Sequence, residues 1–377
     1  MKMRIEFGRA QFGNTAKSHV MDCLNSGWVA IGPKVAKFEE EWGKLFNYKY
    51  SIAMSTGTDA DKNACLALYD LGAERGDEII APALAFVAVG EAILEAGFVP
   101  VFVDVEIDTM NIDPKLIEKK ITPKTRAIFA VHTMGKPCKM DKILEIAKKH
   151  KLYVIEDACE AHGAKYKGKY IGHFGDMVTF SFFAAHLICT SEGGMLSTNN
   201  EKIAEVLRST RSHGRREGSL YFDHVRIGTN SKMTDLAASL GLEGVERFWY
   251  VFNKRKENLN YFLKKTKDLE KFAYFNVEND DEVLCPHGFS IVLKDPKYKF
   301  KELEDFLTKN SIHNKRNFGS MPTQHKAFAF LGNKLGDFPV SEYIGDNGLH
   351  IGVHEYLTQE DLDYVIEKLH EYFKRFK

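Results

Sequence analysis

The sequence has no net charge, no long apolar run and no paired cysteine motif. Lys and Arg total 52, Asp and Glu also total 52, and the formal charge is zero. A general nucleic-acid binder carries a basic excess, so that class is not expected. The longest weakly polar run, Met177 to Thr190, contains His186. It is shorter than the roughly 18 to 20 apolar residues of a membrane span, so no membrane partner is expected. The first nine residues hold no apolar stretch, so no secretory leader is expected. The six cysteines, Cys23, Cys65, Cys138, Cys159, Cys189 and Cys285, show no CxxC spacing. Neither a metal site nor a disulfide framework is indicated, and a reducing cytoplasm is the expected location. What is present is a long chain with apolar material for a large core. It has 377 residues, 44% hydrophobic and 12% aromatic, which excludes wholesale disorder.

Short apolar runs alternate with helical patterns over the first two thirds. Strands are expected at Tyr50 to Met54, Glu78 to Ala81, Val99 to Asp104, Arg126 to Val131, Leu152 to Glu156, Val178 to Phe183 and Gly194 to Thr198. Helices are expected from Asp59 to Leu71, through Glu91 and Glu95, and from Asp141 to His150. This alternation predicts an α/β fold with a mostly parallel sheet covered on both faces. Ligands of such sheets gather at the carboxyl ends of strands, which directs attention to the residues after Met54, Ala81, Glu156 and Phe180. From about Glu243 the pattern changes to a long helix ending near Lys265, a strand at His287 to Leu293, and helices near Phe300 to Asn310 and Thr358 to Phe376. The expected division is a large domain over 1–245 and a smaller α+β domain over 246–377.

Three segments carry chemistry. Ser55-Thr56-Gly57-Thr58 follows a strand and opens a helix, which suits either an ordinary N-cap or a phosphate cradle. Glu156-Asp157 closes a buried strand, with Glu160 and His162 close behind. Phe180 to His186 runs from a strand into a turn of small residues, and Glu192-Gly193-Gly194 leads into the next strand.

Together with Ser26-Gly27-Trp28, Gly32-Pro33-Lys34, GDEIIAPALAFVA at 76–88, VIEDACEAHGA at 154–164, GDMVTFSFF at 175–183, SEGGMLSTN at 191–199 and GTNSKMTDLAASLGL at 228–242, these segments resemble the DegT-type sugar aminotransferases. The resemblance covers essentially the whole chain, in order. It implies the fold type I architecture of enzymes dependent on pyridoxal phosphate (PLP). It also implies roles for individual residues. Gly57, Thr58 and Ser181 match phosphate-binding positions. Phe86 matches the aromatic residue stacked on the pyridine ring. Asp157 matches the carboxylate paired with the ring nitrogen, and Glu160 lies where a side chain approaches the ring hydroxyl. Asn230 matches a residue that reaches the phosphate from a neighbouring subunit, which implies a homodimer with shared sites.

One position departs from the family. His186 stands where the family's Schiff-base lysine is found, and the adjoining turn has no lysine. An imidazole forms no stable imine with PLP. His for Lys here resembles the subgroup of 4-keto-6-deoxy sugar nucleotide 3-dehydratases, closer to the cluster-free colitose-pathway type than to the iron–sulfur type. The resemblance implies that pyridoxamine phosphate (PMP), formed from PLP and L-glutamate, is the working cofactor. It implies that a nucleotide-linked sugar, favoured as GDP-4-keto-6-deoxymannose, is the substrate. His186 then serves as acid and base, with an ordinary pKa of about 6.5. Trp28, His213, Arg215, Lys315, Arg316 and His350 are candidate substrate residues, with Lys34 and Arg216 as further cations for a diphosphate. A nucleotide-sugar aminotransferase with its lysine replaced, or a non-catalytic sensor of PLP or sugar nucleotides, are the alternatives.

Overall fold

A computed structural model describes residues 3–8, 10–219 and 222–376. Its main sheet has seven strands in the spatial order Tyr50–Met54, Gly194–Thr198, Met177–Ser181, Tyr153–Asp157, Thr125–Val131, Glu78–Pro82 and Val99–Val103. The last five of these run parallel to one another. Gly194–Thr198 alone is antiparallel to both strands beside it. The expected mostly parallel sheet is therefore present, with each strand bound within three residues of its expected place. Near-continuous burial along Thr125–Val131 and Tyr153–Asp157 explains why these strands are apolar runs and do not alternate with polar residues.

Two apolar cores flank this sheet. One gathers Phe38, Trp42, Phe46, Phe180 and Phe182, and the other Leu66, Ile79, Phe102 and Leu207. Of the two N-terminal helices, Asn14–Ser26 and Pro33–Phe46, the second supplies Val35, Phe38, Trp42 and Phe46 to the first core. Buried Asp235 accepts the backbone N–H of both Lys34 and Val35, placing a carboxylate at the N-terminus of the second of these helices.

The long helix begins at Asp235, earlier than its apolar pattern suggests, because Thr234 caps it by accepting from Ala237 N–H. It continues to Lys265, so the expected division at 245/246 falls inside it. Its Phe248 belongs to the core of the large sheet, and its Leu259 and Phe262 belong to a separate C-terminal core. That C-terminal core lies on an antiparallel sheet ordered Ala273–Phe275, Gly288–Leu293, Gly348–Gly352 and Asn314–Arg316. The segment around Cys285 returns to the large core, so residues 282–287 lie against the first part of the chain.

Candidate active site

Parallel strands bring the carboxyl ends of Tyr153–Asp157 and Thr125–Val131 to one edge of the sheet. The loops after Met54, Pro82 and Ser181 meet there, and the C-terminal sheet faces them. Between them lies a cavity of about 770 Å³. Ten of the residues singled out from the sequence line it: Gly57, Thr58, Phe86, Asp157, Glu160, Ser181, His186, Lys315, Arg316 and His350.

One wall is the helix N-terminus. Thr56 caps helix Gly57–Asp70 by accepting from Asp59 N–H at 3.0 Å. First-turn N–H groups of a helix have no intrahelical partner, so this end favours an anion. Gly57 is required there, because a Cβ would sit 2.7 Å from Ser181 Cβ. The glycine lets the Ser181 hydroxyl and the helix end share one small space.

Asp157 occupies the floor. Its Oδ1 accepts Cys159 N–H at 2.9 Å. Burial pushes its pKa up, partly opposed by that hydrogen bond, by the Cys159 thiol and by His132. Asp61, four residues into the adjoining helix, is also buried and lines the cavity. Burial and then the charge of Asp157 push its carboxyl well above the usual range, while a 2.6 Å bond from Thr179 Oγ1 opposes them. Asp61, Asp157 and Cys159 offer ligand atoms within 4.8 Å of one another. The cysteine spacing gave no hint of this cluster. Burial holds the Cys159 thiol far above its ordinary pKa.

A row of imidazoles includes three that line the cavity, His186, His287 and His350, with buried His162 behind them. His162 and His186 have ring centroids 5.9 Å apart, His186 and His287 5.3 Å, and His287 and His350 6.4 Å. Burial, followed by the charges of Arg255 and Lys315, pushes His186 down to about 3. In these surroundings the His186 imidazole holds a proton less readily than an ordinary histidine. Glu160 moves the other way, to about 8, chiefly through burial. Its Oε2 accepts Met134 N–H at 2.7 Å, and Met134 holds a left-handed backbone (φ 52°).

Buried Arg255 fixes the His186 turn. It donates to the carbonyls of Ala185 and His186, each at 3.3 Å, and pairs with buried Glu355 at 3.1 Å. Arg255→Ala leaves Glu355 buried and unpaired, and is expected to cost roughly 3–5 kcal/mol. Urea unfolding of the two proteins checks this.

Other candidates lie elsewhere. Trp28 is exposed and donates from Nε1 to Ile31 carbonyl. Lys34 is engaged by His19 and Asp22. His213 and Arg215 follow helix Glu201–Thr210 on a segment folded back against residues 224–230. Arg215 and Arg216 line a separate concavity with Arg208 and Arg211. Asn230 is exposed and accepts from Lys232. None of these lines the cavity of its own chain. Asp61, His287 and Arg255 were not legible, because their partners are distant in sequence.

The sequence matches the DegT/DnrJ/EryC1/StrS aminotransferase family over residues 11–370. The chain belongs to this family. It is 33% identical to a GDP-perosamine synthase of Escherichia coli O157:H7, over 95% of each chain. It is 31% identical to a dTDP-4-dehydro-2,6-dideoxy-D-glucose 3-dehydratase of Saccharopolyspora spinosa, over 91% of this chain and 81% of that one. The fold superposes with a TM-score of 0.88 on a GDP-4-keto-6-deoxymannose-3-dehydratase trapped with a PLP–glutamate adduct, at 26% identity over 97% and 100% of the two chains. The fold is PLP fold type I, and PLP with its amine form PMP is the cofactor class. The residues fit it. The Gly57 end suits a phosphate, Asp157 suits a ring nitrogen, and Phe86 presents a face that is 58% exposed and lines the cavity.

Proposed function

We propose that this protein is a PMP-dependent 3-dehydratase of a nucleotide-linked 4-keto-6-deoxy sugar in 3,6-dideoxy sugar biosynthesis. GDP-4-keto-6-deoxymannose is the favoured substrate and L-glutamate the donor that regenerates PMP. The observation that carries the reading is His186, a half-buried imidazole lining the cavity where the family's lysine is replaced. The 3-dehydratases among its relatives support it.

When bound, PMP supplies an amine for the 4-keto group and a ring that accepts electrons. Gly57, Thr58 and Ser181 hold its phosphate. Phe86 covers the ring, and Asp157 keeps the ring nitrogen protonated. His186 takes a proton from the reacting carbon and gives one to the hydroxyl leaving carbon 3. Lys315, Arg316 and His350 line the cavity wall formed by the C-terminal sheet, where the nucleotide diphosphate is expected.

The test is mass spectrometry of the protein with PLP, L-glutamate and GDP-4-keto-6-deoxymannose. A sugar product lacking one oxygen, with ammonia and 2-oxoglutarate released, supports the reading. A product with an amine in place of the keto oxygen favours the second reading, a nucleotide-sugar aminotransferase. The family description and a transaminase relative from Aneurinibacillus thermoaerophilus point to that alternative.

We further propose a homodimer in which Asn230 serves the partner's site. Its exposure outside its own cavity is consistent with this, as are exposed Trp28, Phe222 and Ile227. Mixing inactive His186→Asn and Asn230→Ala chains is expected to restore activity to roughly a quarter of the sites, since half the dimers are mixed and each has one intact site. Absence of any recovery, with subunit exchange shown by mass spectrometry, would count against shared sites.

A further inference from the structure

His287 and Glu160 pose a question that the reading above does not use. His287 Nε2 lies 3.2 Å from Glu160 Oε1, while its Nδ1 is buried with no partner among the described residues. His186 Nδ1 is likewise buried with no partner among the described residues. The two rings are 5.3 Å apart between centroids and tilted by 44°, a separation at which edge nitrogens come within hydrogen-bond reach on a small rotation. Buried polar atoms are ordinarily satisfied, so two orphan nitrogens on adjacent rings at a cavity wall need an explanation. Glu160 is held at the far end by Met134 N–H.

We propose that His186, His287 and Glu160 form a proton relay in which the Glu160 carboxylate stores the proton that His186 takes from the reacting carbon. His186 accepts that proton on its cavity-facing nitrogen and passes its Nδ1 proton to His287 Nδ1. His287 passes its Nε2 proton to Glu160 Oε1. The reverse path returns the proton to the departing hydroxyl, so no proton is gained or lost and neither imidazole keeps a charge. This removes the difficulty that burial beside Arg255 and Lys315 makes an imidazolium at His186 costly. His287 meets the same obstacle, facing His162, His186, His350 and Arg255. Glu160 faces Asp157, which disfavours its ionisation, and Lys315, which favours it. His287 and Glu160 are positioning residues, acting through His186.

The relay accepts a proton only when Glu160 is ionised, so its rate rises with pH through the Glu160 titration near 8. The relay rests on the cofactor and His186 roles proposed above, and its test needs no sugar. Conversion of PLP to PMP by L-glutamate is followed by absorbance across pH in the native protein, Glu160→Gln and His287→Asn. The native rate is expected to rise along a limb near pH 8. Glu160→Gln should lose the limb, both variants should slow by about 10²-fold, and His287→Asn should retain PMP affinity. In cofactor-free protein with ¹⁵N-labelled histidine, the His287 and His186 signals should shift along the same limb, and Glu160→Gln should abolish the shift. A native limb retained in Glu160→Gln, or a His186 signal indifferent to pH over that range, overturns the relay. Loss of the limb with no deoxygenated sugar leaves the relay standing and removes the dehydratase reading. Deoxygenation with a native profile in Glu160→Gln does the reverse.

Discussion

In a His186→Asn variant, sugar deoxygenation is expected to fall about 10²- to 10⁴-fold while PMP still binds. The turn should survive the change. Arg255 holds it through the main-chain carbonyls of Ala185 and His186, and the buried His186 Nδ1 has no hydrogen-bond partner among the described residues. The phosphate and ring-nitrogen groups lie on other elements, at the Gly57 helix end and at Asp157. Loss of turnover with retained PMP affinity therefore separates proton transfer from cofactor binding. Product mass spectrometry gives the first quantity and equilibrium dialysis the second. Native turnover in this variant would remove His186 from the chemistry.

Asp157→Asn should have an effect of similar size through charge. An asparagine can still accept Cys159 N–H, so the local turn persists. It cannot pair with a protonated ring nitrogen. Losing one member of a buried charge pair costs roughly 3–5 kcal/mol, which corresponds to about 10²- to 10⁴-fold in rate. Asp61 makes the result informative. Part of its upward shift comes from Asp157, so removing that charge lets the Asp61 carboxyl ionise more readily within the same cavity. The Asp61→Asn/Asp157→Asn double variant is expected to be slower than Asp157→Asn. The rate of PLP conversion by L-glutamate in the single and double variants measures this, and equal rates would show that Asp61 does not share the role.

Much of the fold was legible from local pattern. The strands from Tyr50 to Thr198 are short apolar runs between helical segments, and a buried parallel sheet requires that composition. Helix Asp235–Lys265 was read too short because its first turns are specified by the Thr234 cap, with few apolar residues at regular spacing. Helices Asn14–Ser26 and Pro33–Phe46 went unread. The first has few buried residues, and the second is anchored by Asp235, two hundred positions away.

The sequence by itself determined the site's inventory: a glycine opening a helix, an acid closing a strand, a hydroxyl before a turn, and His186 in place of a lysine. Each is a local feature, carried by neighbours along the chain. Tertiary structure decided what surrounds them. Asp61 meets Asp157 because a helix and a strand end converge at one sheet edge. His287 meets His186 and Glu160 because residues 282–287 return to the large core. The acid–base character of the site was decided at the same level. Burial and two distant cations make His186 hold a proton less readily, and burial holds the Glu160 proton, because desolvation and through-space charge depend on packing and not on order in the chain.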